Sequence, residues 1–593
     1  MRMLARLERG ALAALVLSLP TLALACATSA RPARTAAPAG VATTEPAGPV
    51  ADAPTQPVRA AHGMVVSANA MASRVGMQVL RDGGNAIDAA VATGFALAVV
   101  HPTAGNIGGG GFMVVRFPDG RTTAFDFREK APLAASPGMF LDSTGEYSYA
   151  RHHDSHLSVG VPGTVAGFAL AHERYGKLDW ARLVRPAAAL ADTGFVLSDA
   201  LAGSMEHALP RMQRYPASVA KFSHGGTPYR AGERWRQPDL ARTLGRILSR
   251  GRDGFYAGET ARLIAEEMRR GGGLITEQDL ARYQAKERTP IHGTYRGYDI
   301  ISMPPPSSGG VALVEMLNIL EGYDLAALPH NGPEYIHFVV EAMRRAYRDR
   351  ARYLADTDFV PVPIDRLIGK PYAAELRAGI EKTEATPSEV SDSQLPHVSP
   401  LTTHYSVVDA DGMAVAVTYT LEQGYGSKIV VPGAGFLLNN EMGDFNAKPG
   451  LTDERGLIGT DGNLARPQQR MLSSMTPSIL AKDGSLVAVI GSPGGRTIIN
   501  TVLQVMLNVI DGRMNIQRAV DAGRLHHQWL PDRIQIEDGT GSDATVQALQ
   551  RMGYTVRVGG RQGSSNDIMI DPRTGERLGA ADPRDADAGA AGY

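Results

Sequence analysis

Cysteine is almost absent from this chain of 593 residues, which contains a single one, Cys26. One thiol excludes an intramolecular disulfide, a zinc site built on cysteines and an iron–sulfur cluster. The chain also lacks an excess of charge of one sign, since 60 Lys and Arg residues stand against 61 Asp and Glu residues. A broad nucleic-acid-binding surface needs clustered basic residues, so the sequence predicts no nucleic-acid partner.

Long apolar runs are confined to the start of the chain. A stretch with three arginines precedes the apolar segment 11–25, which ends in an A-x-A sequence at Ala23 to Ala25. This order is typical of a cleavable export signal, and the apolar segment is too short for a stable membrane span. We therefore predict a signal peptide at residues 1–25 and an exported protein, either periplasmic or secreted.

The segment after the predicted signal is rich in Ala, Pro and Thr. Residues 26–60 carry few large apolar side chains and cannot bury enough surface to offset the entropy of ordering them, which predicts a disordered tether. Its first residue, Cys26, leaves two alternatives open, a lipid anchor as in bacterial lipoproteins or a free thiol. Ala23 stands where the lipid-attachment motif usually has Leu. No later apolar run reaches 18 residues without a charge, so we expect a soluble body.

Hydrophobic periodicity predicts helices that alternate with short strands in the rest of the chain. The polar segment 381–400 contains three Pro and has no periodicity, so we place an organisational boundary near residue 401. The predicted helices cover residues 70–80, 85–100, 163–175, 180–192, 259–270, 311–320, 334–354 and 498–510. The predicted strands cover residues 112–117, 121–127, 402–408, 413–420 and 486–490.

Three conspicuous motifs carry little chemistry. Glycines 108–111 lack the G-x-G-x-x-G spacing and are not followed by Gly-Lys-Ser/Thr, so they do not predict nucleotide binding. The His and Asp residues at 152–156 could hold a metal, but a solvated loop is the favoured interpretation. His526-His527 is interpreted as structural. We predict neither a metal nor an organic cofactor.

A possible nucleophile stands at the start of a predicted strand. Thr402 follows the polar segment, and a cut before it would free an α-amine whose pKa of about 7.7–8 suits a catalytic base. If residues 410–412 form a three-residue hairpin loop, Thr420 lies opposite Thr402 with the β-carbons about 5 Å apart. Threonine is also common in ordinary strands, so these residues alone leave both interpretations open.

Several motifs resemble, in the same order, those of the γ-glutamyltranspeptidases, and together they extend over residues 61–593. The resemblance implies the αββα sandwich, a layered α/β fold, of the N-terminal nucleophile hydrolases. It also implies self-cleavage between Leu401 and Thr402 into a large subunit, 61–401, and a small subunit, 402–593, which form a heterodimer. The motifs are Gly84–Ala90, Ile107–Phe112, Arg128–Pro132, Val161–Gly163, Thr402–Asp409, Ala414–Thr420, Leu437–Phe445, Leu472–Pro477, Gly491–Gly495 and Ala590–Tyr593.

The same resemblance implies catalytic roles. Thr402 would attack its own preceding peptide bond and later the γ-amide of a glutamyl donor such as glutathione. Thr420 matches the hydroxyl partner of the nucleophile. Gly494 and Gly495 match the oxyanion hole, a role that suits glycine because its backbone can approach a reacting carbonyl closely.

Substrate-binding residues are implied as well. Arg128 matches the residue that binds the donor α-carboxylate, which a guanidinium can hold in two places. Ser473 and Ser474 match the pair that hydrogen-bonds the same carboxylate. Asp444 matches the acceptor of the α-ammonium group, and Glu441 stands at a neighbouring recognition position.

Two positions depart from the common pattern of the family. Position 422 varies between Asn and Glu, and this chain has Glu422. Residues 449–470 match the length of a lid loop whose usual Tyr aligns with Arg455. We hypothesise that Arg455 and Glu422 pair across the closed site. The alternative is that Arg455 points to solvent while Glu422 helps bind the donor ammonium.

The resemblance therefore implies a γ-glutamyltransferase or glutathione hydrolase. Such an enzyme transfers the γ-glutamyl group of glutathione and related compounds to water or to amino-acid or peptide acceptors, through an acyl ester on Thr402. One alternative is a cephalosporin acylase that cleaves a glutaryl group, and Asp444 and Glu441 argue against it because a glutaryl group has no ammonium. The other alternative is a non-catalytic exported protein that binds γ-glutamyl compounds, which would need neither Thr402 nor the glycine pair.

Overall fold

Two seven-stranded antiparallel sheets lie at the centre of the computed structural model, which describes residues 56–388, 402–450, 452 and 458–593. The strands are β1 (Val58–Ala60), β2 (Met64–Ser67), β3 (Gly110–Arg116), β4 (Thr122–Phe127), β5 (Phe195–Val196), β6 (Ser223–His224), β7 (Thr227–Pro228), β8 (Arg234–Trp235), β9 (Lys286–Arg288), β10 (Ile291–Tyr295), β11 (Tyr298–Ser302), β12 (Thr402–Val408), β13 (Ala414–Thr420), β14 (Ser478–Lys482), β15 (Ser485–Ile490), β16 (Leu525–His526), β17 (Ile534–Ile536), β18 (Val556–Val558), β19 (Asn566–Ile570), β20 (Arg577–Ala581) and β21 (Gly589–Gly592). Sheet 1 has the order β1-β20-β19-β15-β14-β11-β10, and sheet 2 has the order β21-β2-β12-β13-β3-β4-β9.

The described residues form 18 α-helices. They are α1 (Ala70–Arg81), α2 (Ala86–Val100), α3 (Tyr149–His153), α4 (Thr164–Tyr175), α5 (Trp180–Thr193), α6 (Asp199–Met212), α7 (Pro216–Phe222), α8 (Pro238–Arg250), α9 (Asp253–Tyr256), α10 (Glu259–Gly271), α11 (Glu277–Arg282), α12 (Gly309–Leu320), α13 (Pro333–Tyr353), α14 (Ile364–Leu367), α15 (Lys370–Ala378), α16 (Ile498–Ile510), α17 (Ile516–Asp521) and α18 (Asp543–Arg551). Helices α1, α2 and α4 pack on sheet 2, whereas α12, α16 and α17 pack on sheet 1. The layers follow one another as helix, sheet, sheet, helix, so the predicted αββα sandwich is confirmed.

The alternation of side chains along β12 assigns its two faces. Tyr405 and Val407 belong to the apolar cluster that contains α2, whereas Val408 belongs to the cluster that contains sheet 1. Successive side chains of a strand point to opposite faces, so residues with the parity of Val408 face sheet 1. Thr402 and His404 therefore point into the space between the two sheets.

Local sequence signals located the elements on sheet 2 well. The helix predicted over 85–100 is α2, and Asn85 caps it because its side chain accepts a hydrogen bond from the Asp88 amide at 3.0 Å. The Asp88 carboxylate accepts one from the Asn85 amide in return, at 3.1 Å. This reciprocal pair satisfies two amides that a helix start otherwise leaves without partners.

Each sheet contains strands from both sides of the predicted boundary at residue 401, paired with one another. In sheet 2, β12 and β13 lie between β2 and β3, and in sheet 1, β14 lies between β11 and β15. A cut between residues 401 and 402 would therefore leave two segments that are joined by sheet hydrogen bonds on both layers.

Two sequence-based interpretations are wrong. Residues 152–156 are not a solvated loop, because α3 and a following 3₁₀ turn bury His152 and His153 to 2% and 3% exposure. The predicted tether also extends too far, since Val58–Ala60 form β1 and pair with β20. The predicted signal peptide, residues 26–55 of the predicted tether, Leu401 and Arg455 lie outside the described residues.

The described ranges contain no group of three or more His, Cys, Asp or Glu side chains that could hold a metal ion. In the same ranges, no helix has both the length and the apolar character that a membrane crossing requires.

Candidate active site

Thr402 and Thr420 lie directly opposite each other on β12 and β13, as the hairpin register predicted. The loop between them turns at Gly412, whose φ of +88° is in the left-handed region that favours glycine. The Thr402 hydroxyl donates a hydrogen bond to Thr420 Oγ1 at 3.3 Å, and the Glu422 amide donates to the same oxygen at 2.8 Å. Both threonine side chains are buried, so Thr420 holds the Thr402 hydroxyl in one orientation.

The glycine-rich loop at residues 108–111 packs against the backbone of Thr420. Asn106 donates a hydrogen bond from Nδ2 to the Thr420 carbonyl at 2.8 Å and accepts one from the Gly109 amide at 2.9 Å. A Cβ on Gly109 would lie 2.0 Å from the Thr420 carbonyl oxygen, so only glycine permits this approach. Sequence reasoning missed Asn106, although the loop belonged to a motif of the resemblance.

A second glycine loop lies beside the face of β12 that carries Thr402. A Cβ on Gly491 would lie 2.2 Å from the His404 ring, so this loop is in direct contact with β12. Gly494 and Gly495 have φ values of +131° and +56°, and a 3₁₀ turn then leads into α16. Glycines with positive φ ahead of a helix N-terminus form an arrangement that can present amide N–H groups to an anion.

His404 is a buried neutral spacer that sequence reasoning also missed. Its ring lies 2.8 Å from Thr418 Oγ1 and 3.1 Å from Ser406 Oγ. Burial lowers its pKa to about 3, so the imidazole carries no charge at neutral pH. The histidine therefore sets the spacing between β12 and the Gly491 loop and cannot act there as a charged acid.

Arg128 is fully buried among three carboxylates. One terminal nitrogen donates to Glu441 and the other to Asp444, and Glu129 lies 3.5 Å away. Burial alone would lower the pKa of Arg128, but these carboxylates raise it overall. Burial raises the pKa of Glu129 to about 8 and that of Glu441 well above its usual range. A single guanidinium thus stands in an acid-rich pocket among three carboxyl groups, of which Asp444 is the most exposed.

Ser473 and Ser474 belong to the same pocket. Arg128 donates from Nε to the Met471 carbonyl at 3.3 Å, which ties it to the segment that leads to the serines. The Ser473 hydroxyl oxygen accepts from the Met475 amide at 3.1 Å, and the Ser474 hydroxyl oxygen accepts from Arg350 at 3.0 Å. Sequence reasoning missed Arg350, which is on α13 and distant from every motif that it considered.

Glu422 connects the threonine pair to the acid-rich pocket. Its amide holds Thr420, while its carboxylate lies 3.4 Å from His153 Nδ1. Burial raises the pKa of Glu422, His153 offsets part of this shift, and Asp444 adds to it. Its φ of +77° is costly for a residue with a side chain, so the surrounding structure imposes this conformation. The pairing of Glu422 with Arg455 stays a prediction.

Comparisons with known proteins agree over most of the chain. A family model described as gamma-glutamyltranspeptidase matches residues 72–592. The glutathione hydrolase proenzyme of Escherichia coli (strain K12) is 48% identical over 540 residues, which cover 91% of this chain and 93% of that protein. The solved structure of Helicobacter pylori gamma-glutamyltranspeptidase is 48% identical, with a TM-score of 0.53, and covers 54% of this chain and 91% of its own. A cephalosporin acylase from Bacillus halodurans is 28% identical, with a TM-score of 0.81, and covers 93% of this chain and 99% of its own.

Proposed function

The chain belongs to the gamma-glutamyltranspeptidase family, and from this premise we propose that it is an exported, self-processing enzyme that cleaves the γ-glutamyl amide of glutathione and related compounds. The γ-glutamyl group passes to water or to an amino-acid or peptide acceptor. The observation that carries the proposal is the buried Thr402–Thr420 pair with a Glu422 amide behind it. The subunits formed by residues 61–401 and 402–593 would stay together, since both sheets contain strands of each.

Self-cleavage before Thr402 supplies the base that the reaction needs. The freed α-amine takes the proton of the Thr402 hydroxyl as Oγ1 bonds to the γ-carbonyl carbon of the donor. Amide N–H groups at Gly494 and Gly495 stabilise the resulting oxyanion, and each such donor is worth about 3–4 kcal/mol. The carbon–nitrogen bond of the donor then breaks, and the proton passes to the leaving amine. Water or an acceptor amine attacks the Thr402 ester and releases the γ-glutamyl group.

Donor recognition follows from the charges around Arg128. The donor carries an α-ammonium and an α-carboxylate, and Asp444 is the mobile partner because its side chain is 40% exposed. We expect Asp444 to turn from Arg128 to the donor ammonium, which frees one edge of Arg128 for the donor carboxylate. One internal ion pair is thereby replaced by two pairs to the substrate, and Glu441 stays on Arg128 as the second acid. A glutaryl donor has a carboxylate for Arg128 but no ammonium for Asp444. This missing interaction disfavours the acylase alternative.

Trapping the acyl-enzyme tests the proposal. Purified protein is mixed with γ-glutamyl-p-nitroanilide, quenched with acid within the first turnover and measured by intact mass. We expect the fragment that begins at Thr402 to gain one γ-glutamyl group, and we expect no gain in Thr402→Ala. Turnover of the donor without a modified fragment, or with modification elsewhere, would contradict the role of Thr402.

A further inference from the structure

Arg350, on α13, is a cation at the Ser473–Ser474 pair. Its Nε donates a hydrogen bond to Ser308 Oγ at 2.8 Å, and one terminal nitrogen donates to Ser474 Oγ at 3.0 Å. Among the residues that the structure describes, no carboxylate forms a salt bridge with it. Desolvation within the protein and the charge of Arg496 lower its pKa to about 10. A partly buried guanidinium whose hydrogen-bond partners are neutral hydroxyls is electrostatically incomplete and favours an anion nearby.

Arg350 also fixes how both serines can bind a ligand. Because it donates to Ser474 Oγ, that oxygen acts as an acceptor and keeps its own proton for another partner. Through Nε it holds Ser308, whose hydroxyl and amide donate to the Ser473 carbonyl at 2.6 and 2.7 Å. The Ser473 hydroxyl oxygen is likewise an acceptor, of the Met475 amide. Within the described ranges neither serine hydroxyl donates to a protein atom, so both protons are available to an acceptor in the pocket.

The contacts of Arg350 differ from those of Arg128. Arg128 already has Glu441 and Asp444 on its terminal nitrogens, so it can bind the donor carboxylate only once Asp444 has turned away. Arg350 differs, because its side-chain hydrogen bonds go to neutral serine hydroxyls and no carboxylate among the described residues forms a salt bridge with it, although the charge of Asp444 acts to raise its pKa. Arg350 on α13 therefore adds a second positive charge, on the serine side of the donor carboxylate that Arg128 binds.

We propose that Arg350 is a positioning residue that orients Ser473 and Ser474 toward the donor carboxylate, and that it thereby adds to the preference for donors that bear an α-carboxylate. This inference rests on the proposed function and names a specificity residue for it. The donor carboxylate accepts one hydrogen bond from each serine hydroxyl, and its charge balances Arg350 through Ser474. Arg350 acts through the serines and does not itself contact the reacting atoms.

Three donors that differ by one charged group test the proposal. γ-Glutamyl-p-nitroanilide carries both charges, glutaryl-p-nitroanilide lacks the ammonium, and 4-aminobutyryl-p-nitroanilide lacks the carboxylate. For Arg350→Gln we expect kcat/KM to fall roughly 10- to 100-fold with the first two donors, the range expected for hydrogen bonds that involve charged groups. With 4-aminobutyryl-p-nitroanilide we expect less than about a threefold change, because that donor has no carboxylate to lose. Arg350→Lys should recover part of the loss, since a point charge remains but the two-serine clamp does not.

The matched control is Arg352→Gln, which removes an exposed arginine from the same helix and should leave all three kcat/KM values unchanged. Each variant is first checked for two fragments and for its unfolding temperature, so that a folding defect is separated from a binding defect. An equal loss of kcat/KM with all three donors in Arg350→Gln would overturn the subsite, as would full activity of that variant with γ-glutamyl-p-nitroanilide. A wild-type protein that turns over none of the donors would instead contradict the proposed function.

Discussion

Replacement of Arg128 by lysine removes the fork that holds two acids. Arg128 reaches Glu441 with one terminal nitrogen and Asp444 with the other, and its side chain is fully buried. A lysine ammonium is a compact point charge on a flexible stem and can stay with one of these acids but not hold both in place. The variant therefore keeps the charge of the pocket and loses its geometry.

The size of the effect follows from the hydrogen bonds that are lost. A hydrogen bond to a charged group contributes about 1.5–3 kcal/mol, and about 1.4 kcal/mol corresponds to a factor of ten. With one such bond lost to the protein acids and one to the donor carboxylate, we expect KM for γ-glutamyl donors to rise roughly 10- to 100-fold. We expect kcat to fall less, because Thr402 and Thr420 are unchanged. Stability should drop by about 1–3 kcal/mol, since a buried acid is left with a poorer partner.

The assay compares Arg128→Lys with Arg345→Lys. Arg345 is also a buried arginine, held by Glu341 at 2.5 Å on α13, but outside the pocket. Initial rates with γ-glutamyl-p-nitroanilide give KM and kcat, and urea unfolding gives the stability of each variant. Both variants should lose stability, and only Arg128→Lys should raise KM. A wild-type KM in Arg128→Lys, or an equal rise in both variants, would refute the role given to the fork.

Three further predictions concern the acids of the pocket. Asp444→Ala should reduce kcat/KM for γ-glutamyl-p-nitroanilide roughly tenfold more than for glutaryl-p-nitroanilide, because only the first donor has an ammonium, and equal losses would contradict this role. Burial raises the pKa of Glu129 from 4.5 to about 8, so the folded state binds the proton more tightly and stability falls as pH rises from about 4.5 to 8. Glu129→Gln should reduce this loss of stability between pH 5 and pH 8, measured by urea unfolding. An unchanged pH dependence of stability in the variant would rule out the role of Glu129. If Arg455 pairs with Glu422, a double-mutant cycle with Arg455→Ala and Glu422→Gln should show non-additive, salt-sensitive effects on KM, whereas additive effects at low and high salt would exclude the pair.

Features that depend on local sequence could be predicted closely. The β12–β13 register follows from a three-residue loop with Gly412 at the turn, and the observed pairing of Thr402 with Thr420 confirms it. The start of α2 follows from Asn85 three residues before an acid, which is the spacing of a reciprocal cap. In both cases the determining contacts lie within about 20 residues of chain.

Features that depend on packing between distant segments of the chain could not be predicted from the sequence. The partners of Arg128 are 313 and 316 residues away along the chain, so no local pattern indicates that its fork is already occupied. The polar sequence around His152 and His153 predicts a solvated loop. In the structure the ring of His152 lies 3.1 Å from the Met442 carbonyl oxygen, 290 residues away along the chain. Arg350 stands in an arginine-rich helix sequence, and only the fold singles it out by bringing Ser474 to it.

The mass of the purified protein tests the central claim most directly. We expect two fragments, one of which begins at Thr402 and ends at Tyr593. We expect Thr402→Ala to stay a single inactive chain, because cleavage and turnover need the same hydroxyl. N-terminal sequencing of the smaller fragment identifies the cut. A wild-type protein that turns over γ-glutamyl donors as one uncut chain, or a small fragment that begins at another residue, would contradict it.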